Sequence, residues 1–567
     1  MRYRKLRPLV TLVAGLAIVA GTIAASPATA APFVGSVRDF NSEATGVAPT
    51  GCTTLGDVTV QSAAIAGAPG GNRAARLIDA SASNYPRLVC ASTASAQKSV
   101  TMQLTAPQMD IGVVIALGKT SADTTGLWRF FLERSGTDVV VSVFNGTNWV
   151  VIGTAPGVNP TTEWFEVRLD ASSTWATIGV DRARFSTSAR ASTGTTMESV
   201  IINSAGTTPL GLQLYVDDFG VANSIPAFSS TLAATAPVGQ QIRFPGAAKL
   251  LDGTIVAAYY EGPSHGATNG LIKLVRSSDD GLTWSSPILV TDQTHDPRGP
   301  QLTTLNDGTL LLTYFYMEWT ATPYVAHGTF VMRSTDGGLT WSSPSAVGTQ
   351  MSCACGPVWP DSYAGGWSAH KGPIVELASG DLLIPLYGTT PTDSRIRATV
   401  VRSTDGGVTW DAANEVTLGV GSISYLEPNL SVLPSGELVA TIRTSATPRK
   451  LYLSRSFDNG FTWTTPSATD IPAEAHSQIV LDDGSVLLTY GNPNLPGRPT
   501  EGIIIDDPSG SWNGLAVRST LVYDAATTDQ ANPANIEVSP GEYLTLGYNV
   551  SNRTMSAIFT TRADYAN

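Results

Sequence analysis

Histidine and cysteine are scarce in this chain, with five histidines and four cysteines among 567 residues. A protein metal centre usually gathers three or four such side chains. Cys353 and Cys355 stand close together with only distant histidines, so we expect a local disulfide there rather than a metal site. Cys52 and Cys90 both lie in the N-terminal region, and we expect them to pair, as cysteines do in oxidising compartments. The sequence predicts no metal and no other cofactor.

Basic residues are also in deficit, with 34 lysines and arginines against 46 aspartates and glutamates, a net charge of −12. Four of the basic residues fall within the first seven positions. Removal of an N-terminal signal would therefore leave 30 basic residues against 46 acidic ones, a net charge of −16. Such acidity argues against nucleic acid or an anionic membrane as a partner. Any basic cluster in a pocket must be local.

Long apolar runs are absent except for one near the N-terminus, from Leu9 to Ala25. It follows the basic residues and precedes Ala28-Thr-Ala30, which has the small residues of a signal-peptidase site. The run is short for a membrane span, and no second one follows. We predict a signal peptide at residues 1–30 and a secreted, extracellular protein without a membrane span.

No long helical pattern follows. Residues 33–222 alternate apolar and polar positions, as in Asp138-Val-Val-Val-Ser-Val-Phe144, between turns rich in Gly, Asn, Thr and Pro. This predicts an all-β sandwich of jelly-roll type. Its last strand, Leu214-Tyr-Val-Asp-Asp-Phe-Gly220, resembles the closing strand of concanavalin-like (LamG-like) domains. We expect its tryptophans to pack in the core, and residues 223–238, rich in Ala, Thr, Ser and Pro, to form a linker.

From residue 239 to 567 a strand-turn unit repeats, with a polar residue at its start and a glycine nine or ten positions later. The first unit runs from Arg243 to Gly253. The others run from Arg298 to Gly308, His370 to Gly380, Glu427 to Gly436, Glu474 to Gly484 and Asn532 to Gly541. Six such units predict a six-bladed β-propeller with these polar residues converging at one end. A buried guanidinium there requires an anionic partner or ligand.

A second signature is phased to the first. Ser277-Ser-Asp279-Asp-Gly281-Leu-Thr283-Trp284 recurs around Asp336, Asp405 and Asp458, and Asp507-Pro-Ser-Gly-Ser-Trp512 resembles a shortened fifth copy. Asp, Ser and Thr side chains can bond the backbone of a tight turn, and Trp can fill the gap between neighbouring sheets. The segment is similar to the Asp box of sialidase-type propellers. We therefore expect a structural role, on the face away from the pocket.

The C-terminal 330 residues or so resemble the sialidase (neuraminidase) family more specifically. Arg243-Phe-Pro245 is similar to the Arg-Ile-Pro motif of the first blade, and the strand that begins with Glu427-Pro428 ends, as in the family, near an arginine, Arg443. Asn492-Pro493 followed by Arg498 resembles the element that carries the third arginine. The resemblance implies that these three arginines clamp a carboxylate of the substrate, which guanidinium groups hold well.

Two family residues are missing from their expected positions. The nucleophilic tyrosine of the last blade is replaced by Pro533 or Asn532, and neither can attack an anomeric carbon. The acid/base aspartate of the first-blade loop has no counterpart in residues 261–270. His265 is the nearest titratable residue of that loop, and Asp296 could approach from the second blade. We therefore take both as candidate catalytic groups, with Asn532 as a substrate contact.

Three functions are compatible with these residues. The first is a sialidase-type exo-glycosidase that removes a terminal acidic sugar (a sialic, related ulosonic or uronic acid) from a glycan or polysaccharide, with Arg298, His370 and Lys371 as further substrate contacts. The second is similar to six-bladed exo-arabinanases and uses Glu427 and Glu474 as paired catalytic carboxylates on a neutral sugar. The third is a propeller that binds sugar without cleaving it, since a fold alone does not fix function. The first is our prediction.

Overall fold

The computed structural model describes residues 40, 43–62, 73–79, 86–106, 112–120, 126–181, 183–204, 212–222, 228–267, 269–292, 295–319, 325–351, 366–525, 527 and 529–565. The predicted signal peptide and the Cys353 and Cys355 pair lie outside these residues. Within them the chain has 39 strands and three short 3-10 helices, Ala412–Asn414, Ala516–Arg518 and Arg562–Asp564. The all-β prediction is confirmed. None of the described helices could cross a membrane.

The N-terminal part contains fourteen strands in two antiparallel sheets. Strands β1 to β14 are Cys52–Leu55, Asp57–Ser62, Arg73–Asp79, Arg87–Ser95, Lys98–Thr105, Val113–Gly118, Trp128–Ser135, Asp138–Phe144, Trp149–Ala155, Phe165–Ala171, Ala176–Val180, Ala183–Thr187, Met197–Ser204 and Leu212–Ala222. One sheet has the order β1-β4-β13-β6-β7-β8-β9, and the other has the order β12-β11-β10-β5-β14-β3-β2. Alternate residues of both sheets are buried in one apolar core.

Cys52 and Cys90 form a disulfide, as predicted, between directly opposed positions of β1 and β4, with their Cα atoms 4.2 Å apart. The expectation that the tryptophans are buried holds for Trp128 and Trp175 but not for Trp149, which is 39% exposed. Trp149 begins the edge strand β9, where one side has no neighbouring strand to cover it. This part of the chain therefore presents an aromatic ring on its surface.

The C-terminal part contains the other 25 strands. Strands β15 to β39 are Ser230–Thr235, Gln241–Lys249, Ile255–Gly262, Leu271–Ser277, Ile288–Asp292, Asp296–Thr304, Leu310–Glu318, Val325–Ser334, Ser345–Ala346, Trp367–Ala369, Val375–Glu376, Leu382–Thr390, Asp393–Ser403, Glu415–Gly419, Tyr425–Val432, Leu438–Thr444, Tyr452–Ser456, Ser467–Ala468, Glu474–Val480, Val486–Gly491, Thr500–Ile505, Thr520–Tyr523, Ala534–Ser539, Glu542–Asn549 and Thr554–Thr561.

These strands form six antiparallel sheets that follow one another along the chain. Five are β16 to β19, β20 to β23, β24 to β28, β29 to β32 and β33 to β36, and the sixth has the order β15-β39-β38-β37. Successive sheets touch: β16 touches β20, β22 touches β24, β26 touches β29, β29 touches β33 and β33 touches β37, and β37 of the last sheet touches β16 of the first. The predicted linker 223–238 is thus too long, because residues 230–235 form β15 and cover an edge of the last sheet.

Each sheet turns at a glycine after its opening strand. These six glycines have φ between 78° and 89°, and they are Gly253, Gly308, Gly380, Gly436, Gly484 and Gly541. Only glycine adopts this left-handed backbone without steric cost. The repeat seen in the sequence therefore corresponds to one turn made six times.

The four eight-residue segments share one hydrogen-bonded turn. In the first copy, Ser277 Oγ accepts from Gly281 N at 2.8 Å. The Asp279 carboxylate accepts from the backbone N and the hydroxyl of Thr283 at 2.9 and 2.6 Å. The same three bonds recur in the segments of Asp336, Asp405 and Asp458. These side chains form hydrogen bonds within their own turn, as expected for a structural role.

An arginine precedes the serine of each segment and joins neighbouring sheets. Arg455 donates from Nη2 to the backbone carbonyls of Pro508 and Gly510 in the following sheet, at 2.9 and 2.7 Å. The other three arginines also donate to a backbone carbonyl of the following sheet. Arg276 donates to Gly337, Arg333 to Gly406, and Arg402 to Asn459. The segments thus fix how successive sheets sit against each other.

We predict that Asp279→Asn lowers the melting temperature, whereas Asp280→Asn in the same turn does not. Hydrogen bonds from Thr283 and Ser277 lower the pKa of Asp279, while Asp280 is exposed. A carboxylate with a lowered folded-state pKa stabilises the fold above its unfolded pKa, near 4, and this contribution is lost as the pH falls. Thermal unfolding of the full chain at neutral and acidic pH checks this. Equal melting temperatures for the two variants would contradict it.

Candidate functional site

The opening strands of the six sheets surround one cavity of ≈ 490 Å³. Each sheet contributes to its lining the residue nine positions before its turn glycine. These six residues are Phe244, Gly299, Lys371, Glu427, Ala475 and Asn532. The same position in each of the six sheets therefore lies at the cavity.

A β-bulge aims four of these residues inward. Phe244, Gly299, Glu427 and Ala475 have φ between 47° and 57°, and the strand pairing shifts register at each of them. Such a bulge re-aims side chains, and positive φ is uncommon for residues other than glycine. No sequence motif marks this bulge. Arg243 and Glu474, ten positions before their glycines, do not line the cavity, whereas Arg298 at the same distance from its glycine does.

Two of the three predicted clamp arginines do line the cavity and share one carboxylate. Glu474 Oε2 lies 3.2 Å from Arg443 Nη2 and 3.3 Å from Arg498 Nη1. Glu474 Oε1 lies 2.9 Å from Nε of a further arginine, Arg449. Glu474 is thus held between three guanidinium groups behind the cavity wall, where it positions cations and does not face a ligand.

The third predicted clamp residue, Arg243, lies behind the wall. It is 5% exposed, forms an ion pair with Asp529 and donates to Gln241 Oε1 at 2.6 Å. Its Nη1 is 3.5 Å from Nδ1 of His265, which lines the cavity. Arg243 therefore reaches the site through His265.

Arg298, rather than Arg243, lines the cavity. Its Nη1 is 2.9 Å from Asp296 Oδ2, which also accepts from Trp319 Nε1 at 2.7 Å. The guanidinium lies 5.0 to 5.3 Å from the ring centres of Phe244, Tyr260 and Trp319, as cation–π contacts favour. Asp296 is fully buried and serves to hold Arg298 and Trp319.

Glu427 is the one carboxylate among the described residues that line the cavity. Its Oε1 accepts from Arg443 Nη1 at 2.8 Å. Its Oε2 is buried, with no hydrogen-bond partner among the residues described. A buried acceptor without a partner costs free energy. This oxygen is therefore available to a ligand or a reacting water.

Lys371 and His370 are adjacent buried bases in the third sheet, and both line the cavity. Burial lowers the pKa of Lys371 to about 8, against an opposing effect of the Glu427 charge. Burial and the charge of Lys371 lower the pKa of His370 to about 3. At neutral pH, Lys371 is mostly a cation and His370 is neutral.

His265 and Asn532 close the cavity where the first and last sheets meet. His265 Nδ1 is 3.1 Å from Asp529 Oδ2. Although 61% of its side chain is exposed, partial burial and the charges of nearby arginines lower the pKa of His265, which favours the neutral ring. Asn532 donates from Nδ2 to the Tyr548 hydroxyl at 3.1 Å, so Tyr548 is held behind the wall.

The rest of the lining is mostly apolar and was not predicted. Its large side chains are Phe315, Met317, Trp319, Trp367, Tyr387 and Leu426. Most belong to the second and third sheets, at strand ends where the sequence shows no motif. Aromatic faces of this kind can pack against the C–H face of a sugar ring.

The cavity is locally basic. Four cations, Arg298, Lys371, Arg443 and Arg498, line it together with the single carboxylate of Glu427, which gives a net charge of about +3 when both histidines are neutral. The whole chain has a net charge of −12. A cavity with low-dielectric walls focuses such a field and concentrates anions.

Comparisons with known proteins show which sequences and folds this chain is similar to. Residues 253–529 match the family model for a BNR repeat-like domain. A sialidase from Bacteroides fragilis is 28% identical over 195 residues, 26% of this chain and 35% of that protein. A xyloglucanase from a Paenibacillus species is 25% identical over 222 residues, 34% of this chain and 20% of that protein. The chain thus spans about a third or less of the curated relatives it matches.

A solved structure of a protein of unknown function from Dyadobacter fermentans has a TM-score of 0.51 at 22% identity, covering 59% of this chain and 99% of that one. At this identity the match shows the fold alone. Together these matches show similarity to a BNR repeat-like domain and, at low identity, to a sialidase and a xyloglucanase.

We predict that Glu474→Gln destabilises the fold by about 1–3 kcal/mol, because it removes a carboxylate shared by three arginines, of which Arg443 and Arg498 are partly buried. Glu261→Gln is the control, since Glu261 is also buried but has one cationic partner, Lys273 at 2.6 Å. Urea unfolding of both variants measures the difference. A smaller loss for Glu474→Gln than for Glu261→Gln would contradict the shared counter-ion.

Proposed function

We infer that the six C-terminal sheets form a six-bladed β-propeller over residues 239–567, completed by β15, and that residues 33–222 form a concanavalin-like sandwich. Contacts between successive sheets support the first inference, as does the contact of β37 with β16. The six lining residues in one register support it independently. In a propeller these positions surround the central axis.

We propose that the protein is a secreted, exo-acting glycoside hydrolase that removes a terminal acidic sugar from a glycan. The observation that carries the proposal is the cavity with four cationic side chains and one carboxylate in an otherwise acidic chain. Its volume of ≈ 490 Å³ suits a single sugar unit better than a long chain. Secretion rests on the N-terminal sequence.

The substrate carboxylate is bound by Arg443 and Arg498, with Arg298 at the neighbouring wall. Glu474 orients the first two from behind, so their remaining N–H groups are fixed before the ligand arrives. Fixed donors lose little entropy on binding. The aromatic wall around Trp319 and Tyr387 packs against the sugar ring.

Glu427 is the reacting carboxylate. Its free Oε2 accepts a proton from a water molecule, whose oxygen bonds to the anomeric carbon as the glycosidic C–O bond breaks. Lys371, with its pKa lowered to about 8, donates a proton to the departing oxygen. Asn532 occupies the last-sheet position of the family tyrosine and contributes a polar contact. The step needs no covalent intermediate.

Paired glutamates acting on a neutral sugar are not favoured. Glu474 Oε1 and Oε2 both contact guanidinium groups, and Glu474 does not line the cavity. Glu427 would then lack the second catalytic carboxylate that the paired-glutamate mechanism requires.

The purified full chain is expected to release free sugar from a panel of sialosides, ulosonides and uronides, and Glu427→Gln is expected to lower the rate at least about 100-fold. Asp280→Asn, at the opposite end of the first sheet, is the control. Oxygen from ¹⁸O-labelled water should enter the released sugar. An unsaturated product would mean elimination, and ligand binding without turnover would mean a non-catalytic sugar-binding protein, so either result would refute the hydrolase.

We predict that affinity for the free acidic sugar falls by roughly tenfold as the pH rises through about 8, because Lys371 loses a charge that attracts the ligand. Lys371→Arg keeps its charge throughout this range and should bind with little pH dependence. Titration calorimetry at several pH values measures both proteins. The same pH dependence in wild type and Lys371→Arg would assign the change to another group.

A further inference from the structure

Three metal-binding side chains meet at one end of the second sheet, outside the cavity. His295 precedes β20, Glu318 ends β21 and His327 lies near the start of β22. Their ligand atoms all lie within 4.8 Å of one another. The chain has only five histidines, and two of them lie together here.

Strand pairing explains how they meet. Asp296 pairs with Met317, which puts His295 level with Glu318 on the neighbouring strand. The pairing of β21 with β22 shifts register so that Tyr316 faces Gly328 and Met317 faces Ala326. His327 is the extra residue of this bulge. A bulge re-aims its side chain, here toward Glu318, whose Oε2 lies 3.0 Å from His327 Nε2.

The ends of β21 and β22 have one face toward the cavity and one face away from it. Met317, Trp319 and Ala326 line the cavity, and the residues that alternate with them, Glu318 and His327, face the other side. The rings of His295 and His327 stack with centres 4.1 Å apart and planes 11° apart. Stacking puts their nitrogen-bearing edges side by side, within reach of one ion.

We propose that His295, Glu318 and His327 bind a divalent transition-metal ion, with Zn²⁺ as the best match. Two imidazoles and one carboxylate are a known ligand set for zinc, with bonds of about 2.0–2.2 Å and a fourth position left to water. Ligand atoms around such an ion lie about 3.4 Å apart, so rotations of these partly exposed side chains suffice. The hard cations Ca²⁺ and Mg²⁺ prefer all-oxygen sites and should not bind.

The site has a role apart from the reaction. A bound ion ties the ends of three strands whose inner faces form one wall of the cavity. Trp319, on that wall, donates to Asp296, which holds Arg298. The metal therefore stabilises the wall without touching the sugar, and its binding does not depend on the proposed hydrolysis.

The test is titration of the untagged, chelator-treated full chain with ZnCl₂ by calorimetry, and with Co²⁺ by visible absorption, which reports imidazole ligation. Wild type should bind one ion saturably in the micromolar range or tighter, with a raised melting temperature. His295→Ala and His327→Ala should each weaken binding by about 100-fold or more, and Glu318→Gln by about tenfold or more. MgCl₂ and CaCl₂ should give no such signal.

Two controls separate this site from other ligands in the chain. His265→Ala removes a histidine on the other side of the wall and should keep zinc affinity unchanged, as should the double variant Cys353→Ser with Cys355→Ser. Melting curves without metal show whether each variant is folded. Unchanged affinity in folded His295→Ala and His327→Ala, loss of binding in the cysteine variant, or no binding by wild type would each overturn the proposal.

Discussion

The site depends on the neutralisation of buried guanidinium groups. An arginine removed from water requires a counter-charge, and here that charge stands behind the cavity wall: Asp296 for Arg298, Asp529 for Arg243, and Glu474 for Arg443 and Arg498. The acids hold the cations from outside, and Arg298, Arg443 and Arg498 line the cavity. The cavity is therefore positive although the chain is negative. Glu427, the carboxylate that does face inward, keeps one oxygen without a partner among the described residues.

The backbone makes this arrangement rigid in two places. At one end of each sheet, a glycine with positive φ closes the first hairpin, and in four of the six sheets a bulge nine residues earlier places a residue at the cavity. At the turns of the eight-residue segments, an arginine such as Arg455 binds the carbonyls of the next sheet. Sheets held in fixed relation to their neighbours keep the arginines within the small tolerance that recognition of a carboxylate demands.

Local chemistry explains what could be predicted from the sequence. The turn glycines, the Asp-centred segments and the alternation of the strands are short-range patterns, and they led to an all-β chain with six repeated units and to Glu427 at the cavity, whereas Arg443 and Arg498 were expected there from the resemblance to sialidases. Arg243 and Glu474 were expected at the cavity and do not line it, because each is held by ion pairs behind the wall. The aromatic wall and the His295, Glu318 and His327 cluster depend on cross-strand register, which the order of residues does not reveal.

The substitution at the last sheet shapes the chemistry most. Where sialidases have a tyrosine, the resemblance places Pro533 or Asn532 in this chain, and neither is a nucleophile. Nδ2 of Asn532 bonds the Tyr548 hydroxyl, and that hydroxyl lies 3.4 Å from Asp529, which also pairs with Arg243 and His265. This network joins the last sheet to the loop of the first and commits its polar groups to each other. What remains free to act lies across the cavity, at Lys371 and Glu427, whose opposite charges lie on neighbouring sheets. In the proposed hydrolysis, Lys371 gives a proton to the departing oxygen and Glu427 takes one from the attacking water.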